Sequence, residues 1–179
     1  LRLDAIAAGD RLAELDFLFP VRGGEARADA IAAAFADAAT HAAVRAWAGG
    51  LARRGIAPLH GHLRGFIDLI FRHDGRWYVA DYKSNRLGPE VGDYDAARLE
   101  AAMAAHDYFL QYHLYVVGLV RHLRQRVPAF DYERDFGGVY YLFLRGIAPS
   151  HPRGCGVFFD RPPQRLIAAL DAALGGGRP

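Results

Sequence analysis

The sequence predicts an α/β domain in which helices flank a small mixed β-sheet. Three stretches carry that expectation. Residues 63–87 (LRGFIDLIFRHDGRWYVADYKSNRL) hold two runs of apolar, β-branched and aromatic residues. Asp74-Gly75 joins them and supplies the positive φ angles of a two-residue hairpin turn. Residues 106–126 are apolar nearly all round at helical spacing, as in a buried helix layered against a sheet. Residues 139–144 (VYYLFL) form a dense apolar run, expected as a central strand buried on both faces.

The remaining elements fit around these. Residues 12–21 (LAELDFLFPV) read as a first strand, ended by Pro20 and the Arg22-Gly23-Gly24 turn. Glu14 and Asp16 alternate with Leu15 and Phe17 and are expected to face solvent. Residues 29–49 are alanine-rich, with Ile31, Phe35, Val44 and Trp47 at broadly helical spacing. They predict one or two packed helices stopped by Gly49-Gly50. After the hairpin, Ser84-Asn85-Arg86-Leu87-Gly88-Pro89 is a polar exit whose hydroxyl and amide groups can contact a phosphate or merely cap and turn the chain. A loop over residues 92–95 and a short helix over 96–105 lead to the long helix. Its Arg121, Arg124 and Arg126 read as a solvated end favoured by the helix dipole. Phe136-Gly137-Gly138 opens the central strand, and residues 154–159 give another short strand. Pro162-Pro163 precedes a final amphipathic helix through Leu166, Ile167, Leu170 and Leu174, ended by Gly175.

Composition narrows the function. With 179 residues, 52% hydrophobic and 23% charged, the chain is expected to form one globular domain, residues 1–179, with a proper core. A net charge of +2 permits nucleic acid without arguing for it. The single Cys155 excludes a disulfide framework and a four-cysteine zinc or iron–sulfur site in this chain. No apolar run approaches the roughly 20 residues of a membrane span, and no signal peptide or initiator Met opens the chain. It is expected to be a fragment of something longer.

Chemistry concentrates on the hairpin. With a two-residue loop, His73 lies opposite Arg76, Ile70 opposite Val79, Asp68 opposite Asp81 and Phe66 opposite Lys83. Asp68, Asp81 and Lys83 then share one face and Tyr82 points to the other. Opposed side chains have Cβ atoms roughly 4.5–5.5 Å apart, and like charges there repel. Asp68 is also the only charge in the run 66–71. Such a pair calls for a cation: Lys83, or a hard divalent ion such as Mg²⁺ or Mn²⁺. The alternative is a solvated Asp68 at a sheet edge with Asp81 and Lys83 as an ordinary surface pair. Two further patterns are open. Gln111, Tyr115, Gly118 and His122 form one stripe of the long helix and read as a lined groove or as internally satisfied polar groups. His60-Gly61-His62 has metal-like spacing but reads better as a loop.

The run GFIDLIF…G.WYVADYKSN.LG, followed by LQYHLYVVGL and FGGVYYLFLRG, closely resembles the RecB-type nuclease domain, the C-terminal domain of exodeoxyribonuclease V beta subunits. That family lies in the PD-(D/E)XK, restriction-endonuclease-like superfamily. The likeness runs from about Leu12 to the last helix. It implies a restriction-endonuclease-like fold, with Asp68 and Asp81 as metal-binding carboxylates, Lys83 as the catalytic lysine and the Tyr82 carbonyl as a further ligand. Gln111 and Tyr115 match a QxxxY motif linked to DNA handling, and Ser84 and Asn85 are expected to contact DNA beside them.

The implied activity is Mg²⁺-dependent hydrolysis of DNA phosphodiesters, with Mn²⁺ as a substitute, on single strands and duplex ends. It belongs to a cytoplasmic helicase–nuclease complex for end processing and recombinational repair. The implied partners are RecC-like and RecD-like subunits and a recombinase, with no membrane. The family also carries a metal-binding histidine on a helix before the first strand; His41, His60 and His62 follow that strand and do not match it. An AddA-type nuclease is the near alternative. A silent docking domain is the distant one, although no motif residue is missing.

Overall fold

The computed structural model describes residues 2–21, 25–54 and 61–175. In chain order the elements are β1 (Arg11–Val21), α1 (Glu25–Ala38), α2 (Ala42–Arg54), β2 (Gly61–His73), β3 (Arg76–Lys83), α3 (Ala96–Ala105), α4 (Tyr108–Arg126), α5 (Tyr132–Asp135), β4 (Phe136–Phe143), β5 (Val157–Asp160) and α6 (Gln164–Ala173). Among the described residues the strands form one sheet in the order β1-β2-β3-β4-β5. β3 pairs antiparallel with β2 and parallel with β4, and β5 returns antiparallel to β4. This is the mixed-sheet α/β class that the sequence predicts.

The contacts fall into two compact units. One comprises Leu1–Leu15, Phe66–Tyr108 and Arg134–Arg161; the other comprises Asp16–Gly65, Phe109–Glu133 and Pro162–Pro179. In the first unit, Asp74 and Gly75 both take positive φ, 48° and 76°, the two-residue turn that matches strand twist. The ladder therefore runs in the predicted register, from His73–Arg76 through Ile70–Val79 to Leu69–Ala80. One sheet face buries Leu69, Phe71, Ala80 and Leu142 under Ile6.

β4 enters beside β3 through Gly137-Gly138, where the register shifts by one residue. Tyr78 fills the space a side chain at Gly137 would need, since a Cβ there would fall 2.1 Å from the ring. Gly138 has φ +142° and faces both the Phe159 ring and the Asp160 carbonyl, so glycine is required twice over. β4 is then buried at all but one position, as its composition predicts.

The second unit is helical. Phe35 of α1 meets Trp47 of α2 and His113 of α4 edge-on, at 5.2 and 4.8 Å between ring centroids. α1 packs against both α2 and α6. The predicted stop at Gly49-Gly50 does not occur. α2 continues to Arg54 because Trp47, Ala48 and Leu51 share a buried face, and that packing outweighs the roughly 1 kcal/mol lost at each glycine. Nor is Arg121 a solvated helix end: it donates through Nε to the Asp171 carboxylate and through Nη2, at 3.2 Å, to the Asp171 carbonyl on α6. Its partner lies fifty residues away.

His113 is the buried titratable group of this unit. Its Nδ1–H donates to the Phe109 carbonyl at 2.6 Å, and Tyr112 stacks on it. Burial lowers its pKa to about 3, against a smaller opposing effect of that hydrogen bond; His41 pushes it further down.

Candidate active site

The hairpin delivers the three expected residues to one region of the first unit. Asp68 lies one step beyond the last paired position of β2, and its Oδ2 accepts a hydrogen bond from the Tyr82 N–H at 2.9 Å. Alternation along β3 buries Asp81, leaves Tyr82 exposed and returns Lys83 to the side of Asp81. Lys83 Nζ sits 2.6 Å from Asp81 Oδ2. Across the parallel ladder, Asp81 lies beside Tyr141 and Lys83 beside Phe143.

Asp81 is only 3% exposed. Burial pushes its carboxyl above the usual carboxylate range; the Lys83 ammonium pulls it back and the Asp68 charge raises it again. No hydrogen bond of good geometry reaches Asp81 Oδ2, so it meets Lys83 as a bare ion pair. Such an oxygen is incompletely compensated. With the second carboxylate beside it and the Tyr82 carbonyl on the same strand, the donors are all hard oxygens. They fit a Mg²⁺-like ion better than a soft metal. Among the described residues no cluster of three or more His, Cys, Asp or Glu side chains forms a metal site.

The lysine is held by more than its carboxylate. Its Nζ lies 4.0 Å from the centroid of the Tyr108 ring and 4.9 Å from that of Tyr141, within range of the negative π faces. The two rings are themselves 5.7 Å apart. Asn85 fixes Tyr108 from behind: its Oδ1 accepts from the Tyr108 hydroxyl at 3.2 Å, and its Nδ2 lies 3.3 Å from His106 Nε2. His106 also stacks on Tyr108. Sequence reasoning missed this enclosure. Tyr141 lay in a run read as uniformly apolar, and Tyr108 opened a helix read for its buried face.

A family model for the PD-(D/E)XK nuclease superfamily matches residues 4–169. The chain belongs to that superfamily. Among curated proteins it is 51% identical over 118 residues to the RecBCD enzyme subunit RecB of Escherichia coli (strain K12), covering 66% of this chain and 10% of that one. The RecB subunit of Mycobacterium tuberculosis (strain H37Rv) is 40% identical over 196 residues, 99% of this chain and 18% of that one. That of Mycolicibacterium smegmatis is 36% identical over the whole chain and 18% of that protein. This chain thus spans between a tenth and a fifth of the length of these relatives. Nucleases of this superfamily generally use divalent metals.

Ser84 is exposed, and its carbonyl accepts from Arg145 Nε at 2.9 Å. Asn85 directs both polar atoms inward, to His106 and Tyr108. In the second unit Gln111 is half-buried, and Tyr115 meets Phe17 edge-on at 5.8 Å. Gly118 also lies against the Phe17 ring, and His122 is exposed. His62 is exposed at the start of β2, and His60 lies outside the described residues.

Proposed function

We infer that this chain is the metal-dependent DNA-cleaving module of a RecBCD-like helicase–nuclease complex, working in DNA end processing and recombinational repair in the cytoplasm. The observation that carries the reading is the buried Asp81–Lys83 pair with Asp68 beside it, in a chain of the PD-(D/E)XK superfamily. Asp68, Asp81 and the Tyr82 carbonyl would hold Mg²⁺, or Mn²⁺ in its place. When bound, the ion supplies Lewis-acid polarisation of a phosphoryl oxygen and a lowered pKa for its water.

The chain's own residues do the rest. Lys83 Nζ presents a fixed positive charge to the water or to the phosphoryl oxygens as negative charge develops. Tyr108 and Tyr141 hold that ammonium in place. Hydrolysis forms one bond from water oxygen to phosphorus and breaks one phosphorus–oxygen bond of the backbone, the departing oxygen taking up a proton. Gln111 and Tyr115 guide the strand, and Ser84 and Asn85 border its path. RecC-like and RecD-like subunits and a recombinase are the protein partners that this reading assigns. No described helix is long and apolar enough to cross a membrane.

The test is degradation of end-labelled single-stranded DNA in Mg²⁺ or in EDTA. It compares this chain with a version extended upstream toward the length of its relatives, each also as Asp81→Ala. Metal-dependent cutting that disappears in Asp81→Ala is expected. No cutting by any form, alone or with partner subunits, would overturn the reading in favour of a docking domain.

A further inference from the structure

The first unit contains a cleft of about 350 Å³ whose lining includes Arg86, Glu90, Tyr94, Arg145 and His151. Two of its basic groups, Arg145 and His151, are anchored, and the outward-facing donors are uncommitted. Arg145 uses Nε to hold the Ser84 carbonyl at 2.9 Å. Its terminal nitrogens, and the whole Arg86 guanidinium, meet no partner among the described residues. His151 donates Nδ1–H to the Gly146 carbonyl at 2.8 Å, which fixes the ring and leaves Nε2 as its remaining polar atom. Glu90 lines the same cleft yet forms no ion pair with either arginine.

The wall carrying these groups is built tightly. Tyr94 accepts the Leu87 N–H at its hydroxyl, 3.3 Å, and the Gly156 N–H at its carbonyl, 2.9 Å. Its side chain lies against Gly146, where an added Cβ would fall 2.6 Å away. Two guanidinium groups on one concave surface repel each other until an anion joins them. Arginine's planar fork matches the tetrahedral oxygens of phosphate. Tyr94 is only 3% exposed and offers no open ring face, so the cleft is suited to a phosphate rather than to a stacked base.

The position relates the cleft to the carboxylates. Arg86 is three residues beyond Lys83, so their Cα atoms are at most about 11 Å apart. Arg145 grips the carbonyl of the residue immediately after Lys83. We propose that the Arg86–Arg145–His151 cleft is a subsite for a DNA backbone phosphate neighbouring the bond that is cut. It rests on the nuclease reading above and sets the strand's register over the site.

Binding is measured without cutting, by fluorescence anisotropy of a labelled single-stranded oligonucleotide in EDTA across a salt series. The proteins are wild type, Arg86→Gln/Arg145→Gln and Arg86→Lys/Arg145→Lys. The Gln variant is expected to bind roughly tenfold more weakly, with a salt slope shallower by about 0.7, the increment for one single-strand phosphate. The Lys variant should recover the slope but not the full affinity, which a folding defect would not produce; thermal melts check folding directly. Strands ending in 5′-hydroxyl or 5′-phosphate, and a set with a neutral methylphosphonate walked through successive linkages, separate a terminal phosphate from an internal one. Unchanged affinity and slope in the Gln variant would overturn the subsite while leaving the nuclease reading intact. Absence of metal-dependent cutting by wild type overturns the nuclease reading instead, and the metal-free binding series still reports on the cleft.

Discussion

Replacing Tyr108 by Leu removes the closer of the two rings facing Lys83 Nζ while keeping an apolar side chain at that position. The ammonium is 4.0 Å from that ring centroid, and the Lys83 side chain is only 12% exposed. The interaction therefore belongs to the desolvated end of the cation–π range, about 1–2 kcal/mol. If the ring holds the ammonium where charge develops, that energy appears in the barrier as a fall of about 5- to 30-fold in single-turnover DNA cleavage. Tyr108→Phe keeps the π face and loses only the hydroxyl bond to Asn85, so its loss should be a few-fold. A second readout needs no activity. A double-mutant cycle of Tyr108→Leu with Lys83→Met, followed by urea unfolding, should give a coupling of about 1 kcal/mol. Wild-type cleavage by Tyr108→Leu together with zero coupling would refute the claim that the ring positions the lysine.

Two further outcomes follow from burial and backbone geometry. His113 has a pKa of about 3 when folded and about 6.5 when unfolded, so between those values the unfolded chain binds the extra proton. Its contribution to stability is complete above pH 6.5 and declines as pH falls. Urea unfolding should show about 1.6 kcal/mol lost to this group between pH 6.5 and 5.0, a slope that His113→Leu reduces; the same slope in both proteins would refute it. Gly138→Ala places a Cβ at φ +142°, 2.6 Å from the Phe159 ring and 2.9 Å from the Asp160 carbonyl. It should destabilise by about 2–4 kcal/mol in denaturant unfolding, and an unchanged midpoint would contradict the packing described at the start of β4.

What could be read from the sequence was local. Asp74-Gly75 with β-rich runs on either side is enough to fix a turn type, and the turn type fixes the register of every pair above it. Asp81 and Lys83 on one side and Tyr82 on the other then follow from alternation alone. What could not be read was non-local. Tyr141 reaches Lys83 because β4 runs parallel beside β3, and nothing within VYYLFL marks which tyrosine turns toward the lysine. The Arg121–Asp171 tie joins helices fifty residues apart, so Arg121 looked like any basic residue near a helix end. Gly49 and Gly50 are helix-breaking by propensity, and only the buried face of α2 reverses that. Asn85 looked like a loop residue free to contact substrate because His106 and Tyr108, its partners, lie more than twenty residues on.

The most direct measurement of the central claim follows bound Mn²⁺ by electron paramagnetic resonance and DNA cleavage on the same samples, in wild type, Asp68→Asn and Asp81→Asn. The predicted result is that cleavage rises in step with bound metal in wild type, and that both substitutions weaken metal binding and abolish cutting together. Full metal binding and cleavage in Asp81→Asn, or cleavage that is indifferent to Mn²⁺, would contradict the assignment of this carboxylate pair as the centre that cuts DNA.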